Sequence, residues 1–484
     1  MLDLSNLEKY KENNRIEAKK ATGGLPRSLW ETYSAFANTL GGIILLGVEE
    51  HEDKSLHPVD LQDTDWLITD FWETINNPKK VSLNILTDKD VKVRNINGKR
   101  IIVINVPRAQ RNEKPIYIED NAFTGTYRRN GEGDYRCSVT EVAAMQRDAA
   151  FRRGDILVLE DMDTDVFDYN SIASYRMRMS YSRPGHIWGN LEDIDFLHKL
   201  GAVGKGEDGK LHPTAAGLLM FGYEYEIVRE FPSYFLDYQE KNDNDNHWTD
   251  RIVSSSGDWS GNIYDFYFRV YKRISKDINV TKNGVNNSLS DDTPVHKALR
   301  EALTNCLINA DYYGRQGLVI VKRKSMITFS NPGGFRIDIE AAKSGGISDP
   351  RNTTLIRMFN LIDIGKRAGS GIPSIFHIWN HQGWKEPVIT EEFEPERITL
   401  SLSMEKSNTD NFDAVKSDNK RVKDIRKDAI IDFLTDNVTG RVSDIADLLG
   451  IDAAQSSALL SELVSDEIIV EAYDKNGRIY SLKA

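Results

Sequence analysis

A charged pentapeptide near the start of the chain, Arg15-Ile-Glu-Ala-Lys19, combines residue types that can act on a phosphate group. If it forms a β-strand, Arg15, Glu17 and Lys19 lie on one face, because successive side chains of a strand point to opposite sides. Metal-dependent nucleases use such a carboxylate to hold the metal, and such a lysine to orient water or offset phosphate charge. The alternative is that Glu17 and Lys19 form a solvated ion pair on a sheet surface.

One carboxylate is too little to hold a magnesium or manganese ion, which needs several oxygen ligands. Glu12, just upstream, could supply one of them. Glu49 or Glu50, at the end of the next apolar segment, could supply another. The sequence therefore contains enough acidic residues near Glu17 for a divalent metal site.

The segment Thr124-Gly-Thr-Tyr-Arg-Arg-Asn-Gly131 is a second candidate for contact with a polyanion. It places a tyrosine and two arginines beside glycines, where backbone and guanidinium groups could approach phosphates. Alternatively, it is an edge strand whose arginines pair with the nearby acids Glu132 and Asp134. The candidate nucleic-acid contacts of the chain are Lys19, Lys20, Tyr127, Arg128 and Arg129.

A third group of residues lies between positions 296 and 372. Glu301 and Asn305 are four residues apart on a predicted helix, which puts both side chains on one face. The turn Ser330-Asn-Pro-Gly-Gly334 and the loop Arg367-Ala-Gly-Ser-Gly-Ile372 follow. A glycine-rich loop of this kind either cradles a phosphate or caps a helix.

Composition indicates the class of protein in which these residues act. The chain has 484 residues, 40% hydrophobic and 28% charged, which is typical of a globular protein with about three domains. Its net charge of −12 restricts contact with nucleic acid to a local patch. Two cysteines exclude a disulfide framework and fit a reducing compartment. Without a signal peptide or a long apolar stretch, we expect a cytoplasmic protein that does not contact a membrane.

The elements that must position these side chains alternate between strands and helices, which predicts an α/β (α+β) multidomain protein. In the N-terminal part we expect a strand at 15–19, a helix at 25–40, a buried strand at 43–49, and strands within 81–106 that turn at Asn97-Gly98. The predicted domains are residues 1–150, a mostly helical connector at 151–225, a mixed domain at 226–405, a linker at 406–422 and a C-terminal unit at 423–484.

The C-terminal unit has the element order of a winged helix-turn-helix domain. Helices are predicted at 428–434, 442–449 and 453–464, followed by a hairpin that turns at Asn476-Gly477. Residues 423–484 carry 7 Lys and Arg against 12 Asp and Glu. Because phosphate contacts dominate DNA affinity, this charge disfavours DNA binding. We expect the unit to mediate docking or dimerisation, and the protein to be a homo-oligomer.

The N-terminal motifs closely resemble a known family. Glu12-x4-Glu17-x-Lys19, followed by Ser34-Ala-Phe-Ala-Asn-Thr-Leu-Gly-Gly-Ile-Ile-Leu-Leu-Gly-Val-Glu-Glu50, is similar to the Schlafen-type AlbA-like domain of short prokaryotic Schlafen proteins. In the nucleases of that family, two glutamates and a later acidic residue bind the metal for RNA cleavage, and transfer RNA is a favoured substrate. The resemblance implies that Glu12, Glu17 and Glu50 bind Mg²⁺ or Mn²⁺ and are catalytic together with Lys19.

Two residues depart from that family pattern. Ala18 replaces the usual aromatic or apolar residue, and Glu50 stands where the nucleases carry aspartate. The segment around Tyr127 is similar to a glycine-, tyrosine- and arginine-containing element near the end of the family's domain.

Residues 296–372 resemble the GHKL-type ATPase domain at the C-terminus of RecG-like regulators. In GHKL enzymes the helix glutamate activates water, the asparagine binds magnesium, and two glycine boxes hold the nucleotide. The resemblance implies a GHKL-like α/β sandwich that binds ATP, although Asn331 stands where the family carries the acid that reads adenine. The implied ATP contacts are Glu301, Asn305, Asn331, Gly333, Gly334, Gly369 and Gly371.

Two functions of different class follow from these resemblances. One is a metal-dependent endoribonuclease in stress or phage defence, with RNA favoured over DNA. The other is a non-catalytic transcriptional regulator that binds nucleic acid and ATP. The intact set of acids and Lys19 favours the first, whereas Glu50 and Asn331, which depart from the family patterns, favour the second.

Overall fold

The computed structural model describes residues 4–150, 154–242, 247–276, 278, 281–282, 285–286, 293–365 and 369–407, and in the C-terminal part residues 427, 430–431, 434, 439–449, 453–465, 468–474 and 477–482. The chain divides into two compact units, Met1–Glu405 and Lys406–Ala484. In the part that is described, no helix has the length and apolar character needed to cross a membrane.

A four-stranded sheet is the centre of the N-terminal region. The elements of this region are β1 (Ile16–Lys19), α1 (Ser28–Asn38), β2 (Gly42–Leu46), β3 (Val48–Glu50), β4 (Leu56–Pro58), α2 (Thr64–Ile75), β5 (Val91–Ile96), β6 (Lys99–Val106), α3 (Ala122–Gly125), β7 (Tyr127–Asn130), β8 (Gly133–Arg136) and α4 (Val139–Ala149). The strand order is β1-β2-β6-β5, with β1 parallel to β2 and the other pairs antiparallel. Strands β7 and β8 form a separate hairpin.

Both faces of strand β2 are buried, which explains its uninterrupted apolar sequence. On one face Ile44 and Leu46 pack with Phe36 of helix α1. On the other face Leu45 packs with Ile16 of strand β1. The sheet therefore separates two apolar clusters, and strand β1 lies at its edge.

The predicted N-terminal elements are present, with one interruption. The strand predicted at 43–49 is split at Gly47, whose φ of +83° favours glycine. A side chain there would also clash, since a Cβ atom at Gly47 would lie 2.7 Å from Leu61. The predicted turn at Asn97-Gly98 is confirmed, because both residues have positive φ, as a two-residue hairpin turn requires.

The rest of the first unit is built on a six-stranded sheet. Its elements are α5 (Tyr169–Ser182), α6 (Asp193–Leu200), β9 (Val203–Lys205), β10 (Leu211–Pro213), α7 (Ala215–Phe221), α8 (Glu224–Glu230), β11 (Leu236–Lys241), β12 (Trp248–Val253), α9 (Ile263–Ile274), β13 (Thr281–Lys282), β14 (Val285–Asn286), α10 (Pro294–Asn309), β15 (Leu318–Lys322), β16 (Met326–Pro332), α11 (Ile339–Ser344), α12 (Thr353–Leu361), α13 (Gly371–His381), β17 (Val388–Phe393) and β18 (Glu396–Ser403). The strand order is β12-β11-β15-β16-β18-β17.

One hydrophobic core extends from Leu159 to Leu402. The predicted connector at 151–225 and the predicted mixed domain at 226–405 therefore share a core. Helix α9 shows why these sequences fold together: Phe266, Tyr267 and Val270 recur at helical spacing and are all buried in it. The mixed α/β class predicted from the sequence is confirmed.

The second unit contains part of the predicted winged helix. Helices α14 (Val442–Leu449) and α15 (Ala453–Ser465) precede a hairpin of β19 (Ile469–Asp474) and β20 (Gly477–Leu482). Most of the predicted helix at 428–434 and the turn residue Asn476 lie outside the described residues. The winged helix and its role in self-association stay predictions.

Candidate functional site

Strand β1 directs its charged and apolar side chains to opposite faces of the sheet, as the alternation predicts. Ile16 and Ala18 belong to the apolar cluster around Leu45. Glu17 instead meets the guanidinium of Arg129, which lies over the ring of Phe36 on the face covered by helix α1. The position of β1 at the sheet edge leaves room for this polar cluster beside helix α1.

The carboxylate of Glu17 is buried between two cations. Lys19 Nζ donates to Glu17 Oε1 at 2.5 Å, and Arg129 Nη2 lies 2.8 Å from Glu17 Oε2. Only 9% of the Glu17 side chain is exposed. Glu17 and Lys19 therefore form an ion pair, as the alternative interpretation predicts. The pair is buried, whereas that interpretation places it in solvent.

Two further acids lie near Glu17. Glu12 Oε1 accepts a hydrogen bond from the Ala18 amide at 3.0 Å. Burial raises the pKa of Glu12, and the charges of Glu17 and Glu50 raise it further, against the hydrogen bond from Ala18. Glu50 accepts from Lys54 through Oε2 at 3.2 Å, while its Oε1 is buried without a hydrogen-bond partner. We call Glu12, Glu17 and Glu50 the acid cluster.

Arg129 connects the acid cluster to the hairpin of β7 and β8. Its side chain is only 1% exposed. It donates to the backbone carbonyl of Asn13 at 2.9 Å and forms an ion pair of 2.9 Å with Asp134. Arg129 thereby ties the segment between Glu12 and Glu17 to the hairpin.

Arg128 is held in the same way on the other side of the hairpin. It pairs with Glu141 at 3.0 Å and with Glu394 at 2.5 Å, and its side chain is 8% exposed. The structure thus favours the ion-pair alternative for both arginines, because a buried, paired guanidinium does not offer its donors to an incoming phosphate. Of the two acids predicted as partners, Asp134 pairs with Arg129, whereas Glu132 lies 3.5 Å from Lys54.

The remaining predicted nucleic-acid contacts differ in exposure. Lys20 is exposed and forms an ion pair of 3.0 Å with Glu49. Tyr127 is buried against helix α1, and its hydroxyl donates to Glu31 at 3.3 Å. Among the predicted nucleic-acid contacts, Lys20 therefore has the most exposed charged side chain.

The residues predicted to hold ATP surround a cavity of about 130 Å³ between helix α10, strand β16 and helix α13. Six of the seven line it: Glu301, Asn305, Asn331, Gly334, Gly369 and Gly371. Gly333 lies outside this lining and has a φ of +98°, with Arg351 packed against it. We call this space the glycine-lined cavity.

Three family models match parts of the chain. Residues 12–138 match "Schlafen, AlbA_2". Residues 12–138 are a Schlafen AlbA_2 domain. Residues 324–400 match "Putative ATP-dependent DNA helicase recG C-terminal", and residues 143–237 match a domain of unknown function, DUF8451. An AlbA_2 domain and a RecG-type C-terminal domain on one chain indicate a function related to nucleic acid.

Two solved structures are similar to this chain. The DIP2311 protein from Corynebacterium diphtheriae is 17% identical, with a TM-score of 0.40, over 97% of this chain and 80% of that chain. The N-terminal domain of a "Putative ATP-dependent DNA Helicase RecG-related Protein" from Nitrosomonas europaea is 30% identical, with a TM-score of 0.23, over 29% of this chain and 95% of that chain. No curated protein matches the chain.

The acid cluster of the AlbA_2 domain fits a divalent metal by donor type and charge. Carboxylate oxygens are the ligands that Mg²⁺ and Mn²⁺ prefer, and Glu50 offers a buried oxygen without a partner. Burial is the main cause of the raised pKa of Glu12, and the charges of Glu17 and Glu50, which a cation would offset, add to it. In the described part of the chain, however, no group of three His, Cys, Asp or Glu side chains is arranged to hold a metal.

The glycine-lined cavity is smaller than a nucleotide site. Pockets for ligands of that size are typically about 300–1,000 Å³. Glu301 also fills the position that the glycine loop would offer to a phosphate, since a Cβ atom on Gly371 would lie 2.2 Å from Glu301 Oε1. In the described residues, Glu301 therefore occupies space beside the glycine loop.

We expect ATP with Mg²⁺ to change the melting temperature of the wild-type chain little, because a ligand stabilises a fold only as far as it binds the native state. Glu301→Ala should increase the shift by clearing the space beside Gly371. Differential scanning fluorimetry measures both, with Glu340→Ala on the exposed side of helix α11 as the control. Rapid ATP hydrolysis that depends on Glu301 would contradict this expectation.

Proposed function

We propose that the AlbA_2 domain is a metal-dependent endoribonuclease whose catalytic group is the acid cluster together with Lys19. The observation that supports this most is the buried carboxylate of Glu17, held by Lys19 and Arg129 at a sheet edge beside Glu12 and Glu50. The substrate would be transfer RNA or another RNA.

The argument is energetic. Removing charges from water is costly, and apolar side chains of similar volume often stabilise a fold as well or better than a buried ion pair. A cluster of mutually repelling acids on a sheet edge is therefore a poor choice for stability alone. A buried acid with a raised pKa beside other charged groups, as Glu12 is here, is typical of functional sites, which favours a catalytic role.

Glu12, Glu17 and Glu50 would hold the metal. When bound, a divalent ion at such a site lowers the pKa of water and neutralises phosphate charge. The residues of this chain prepare the site: the Ala18 amide orients Glu12, and Lys54 holds one oxygen of Glu50. Lys19 is a cation beside the reacting phosphate and offsets negative charge that grows in the transition state.

A second candidate function is a non-catalytic regulator that binds nucleic acid and, after opening of the glycine-lined cavity, ATP. It is favoured by the ion pairs that occupy Glu17 and by the lack of a preformed group of three metal ligands in the described residues. In either case we propose a cytoplasmic homo-oligomer with RNA favoured over DNA. The nuclease would act in stress or phage defence.

The purified full-length chain should cleave RNA only when a divalent metal is present. We propose incubating it with transfer RNA, an unstructured RNA and single-stranded DNA, each with Mn²⁺, with Mg²⁺ or with a chelator. Denaturing gels would show fragments of RNA in the metal-containing reactions. If RNA is bound but stays intact with both metals, the regulator replaces the nuclease as the function of the chain.

A further inference from the structure

A cleft of about 1,490 Å³ lies in the first unit, between the AlbA_2 domain and the larger α/β part. One side is formed by the start of strands β1 and β2 and by the loop after strand β6. The other side is formed by the end of helix α4 and by the segments at 311–313 and 336–353. Its volume exceeds the range of about 300–1,000 Å³ that suits a single small ligand, so it suits a longer one.

Three of the arginines that line the cleft share two carboxylates. Three arginines, Arg111, Arg336 and Arg351, have two carboxylates within ion-pair distance among the described residues, Asp148 and Asp349. The third guanidinium, that of Arg336, lies 3.9 Å from each of these acids, which the other two arginines already occupy.

Arg336 is therefore incompletely compensated. Its Nε is buried without a hydrogen-bond partner. Its two other nitrogens donate to the backbone carbonyls of Pro350 and Asp148, each at 3.2 Å. Burial lowers the pKa of Arg336, and the charges of Arg351 and Arg111 lower it further, whereas the charges of Asp148 and Asp349 raise it.

Two other arginines carry positive charge to the solvent side of the cleft. Arg15 donates to the backbone carbonyl of Leu40 and has no described carboxylate within ion-pair distance. Arg147 is 42% exposed; it pairs with Asp311 at 3.1 Å and lies over the ring of Tyr313. Tyr313 is itself 36% exposed; its ring also packs against that of Phe231, with 4.7 Å between the ring centroids, and its hydroxyl donates to Glu230 at 2.6 Å. The exposed part of the ring lies beside the arginines.

We propose that this cleft binds a single-stranded nucleic acid, with Arg15 and Arg147 contacting its phosphates and Tyr313 stacking on a base. Proteins bind single strands by this combination of positive charge along the backbone and aromatic side chains under the bases. Arg15 and Ile16, which line the cleft, directly precede Glu17 in the chain, whereas the side chains of the acid cluster are not part of the cleft lining. The choice of RNA as the strand rests on the proposed function.

Binding is measured by fluorescence anisotropy of a labelled oligouridylate in chelator, so that no cleavage occurs. Arg15→Ala combined with Arg147→Ala should weaken binding at least about tenfold and reduce the salt slope by about 1.4, as expected for two lost contacts to a single strand. Tyr313→Ala should weaken binding about tenfold, whereas Tyr313→Phe should retain most of it because the ring remains. Arg15→Lys with Arg147→Lys should also retain most of the affinity, which separates a lost contact from a damaged fold.

The matched control is Arg229→Ala combined with Lys385→Ala, which removes two exposed cations outside the cleft and should leave affinity unchanged. Unchanged affinity in the Arg15 and Arg147 double alanine variant would overturn the cleft as the binding site, even if the wild type cleaves RNA. Binding that depends on these arginines, with RNA left intact by Mg²⁺ and Mn²⁺, would support the cleft and contradict only the nuclease. Binding of labelled single-stranded DNA as tight as that of RNA would contradict the choice of RNA and leave the cleft as the binding site. Competition by AMP as strong as that by the oligonucleotide would overturn the strand site in favour of a mononucleotide site.

Discussion

Glu17→Gln should lower metal-dependent RNA cleavage by about 100-fold or more, the scale expected when a group acting directly in the reaction is lost. Glutamine has nearly the same size and can still accept a hydrogen bond from Lys19, but it lacks the charge that would hold a metal. Glu12→Gln should have a similar effect. Lys19→Ala should also reduce cleavage steeply, because it removes a cation facing charge that grows in the transition state.

Two measurements separate lost catalysis from a damaged fold. Without metal, Glu17→Gln should bind RNA at least as tightly as the wild type, since it removes a negative charge near the phosphates. With Mn²⁺, the melting temperature of the wild type should rise, and Glu17→Gln should show a smaller rise.

The matched control for this set is Glu49→Gln. Glu49 is exposed, adjacent to Glu50 and paired with Lys20, so its loss changes the local charge without touching Glu17. It should retain cleavage. A Glu17→Gln variant that cleaves RNA as fast as the wild type and gains the same stability from Mn²⁺ would exclude Glu17 as a catalytic metal ligand.

The elements that carry the acid cluster were predictable because their signals are local. The alternation in strand β1 predicts which side chains share a face, and Asn97-Gly98 encodes the turn between β5 and β6. The interruption at Gly47 was not predictable, because it depends on contact with Leu61, fourteen positions further along the chain. A run of apolar residues looks the same with or without such a break.

The partners of the arginines illustrate a second limit. Asp134 lies close to Arg129 in sequence and was predicted as an ion-pair partner for the segment. Glu394 is 266 positions after Arg128, so its pairing with Arg128 depends on how the AlbA_2 domain packs against strands β17 and β18. No local pattern reports that contact, which places the guanidinium of Arg128 in the packing between domains. A phosphate contact by Arg128 stays a prediction.

The cavity and the cleft depend on tertiary structure in the same way. Sequence motifs located six residues of the glycine-lined cavity, but its size follows from the packing of Glu301 against Gly371. The cleft is formed by segments from both parts of the first unit. Arg15 was singled out in the sequence for its strand face, whereas Arg147 carries no motif that distinguishes it from other surface residues.

Arg129→Met should destabilise the AlbA_2 domain by about 3–5 kcal/mol, the cost typical of removing one partner from a buried ion pair. The variant keeps most of the apolar volume over Phe36 but leaves Glu17 and Asp134 without this cation, and the carbonyl of Asn13 without its donor. Hydrogen exchange measured by mass spectrometry should show faster exchange in the peptides that contain strand β1. This local readout assigns the loss of stability to the part of the chain that contains strand β1.

The control is Arg136→Met on the same hairpin, where the guanidinium lies exposed over the ring of Tyr127 and should contribute little.

Combining Arg129→Met with Glu17→Gln tests whether the ion pair between these two residues contributes to stability. Because the double variant removes both members of the pair, its destabilisation should be smaller than the sum of the single effects, by about 0.5–3 kcal/mol. Additive effects would mean that Arg129 acts only through Asp134 and Asn13. Arg129→Lys, which keeps the charge but loses the branched set of donors, should then be less destabilised than Arg129→Met, because a lysine can still pair with Asp134.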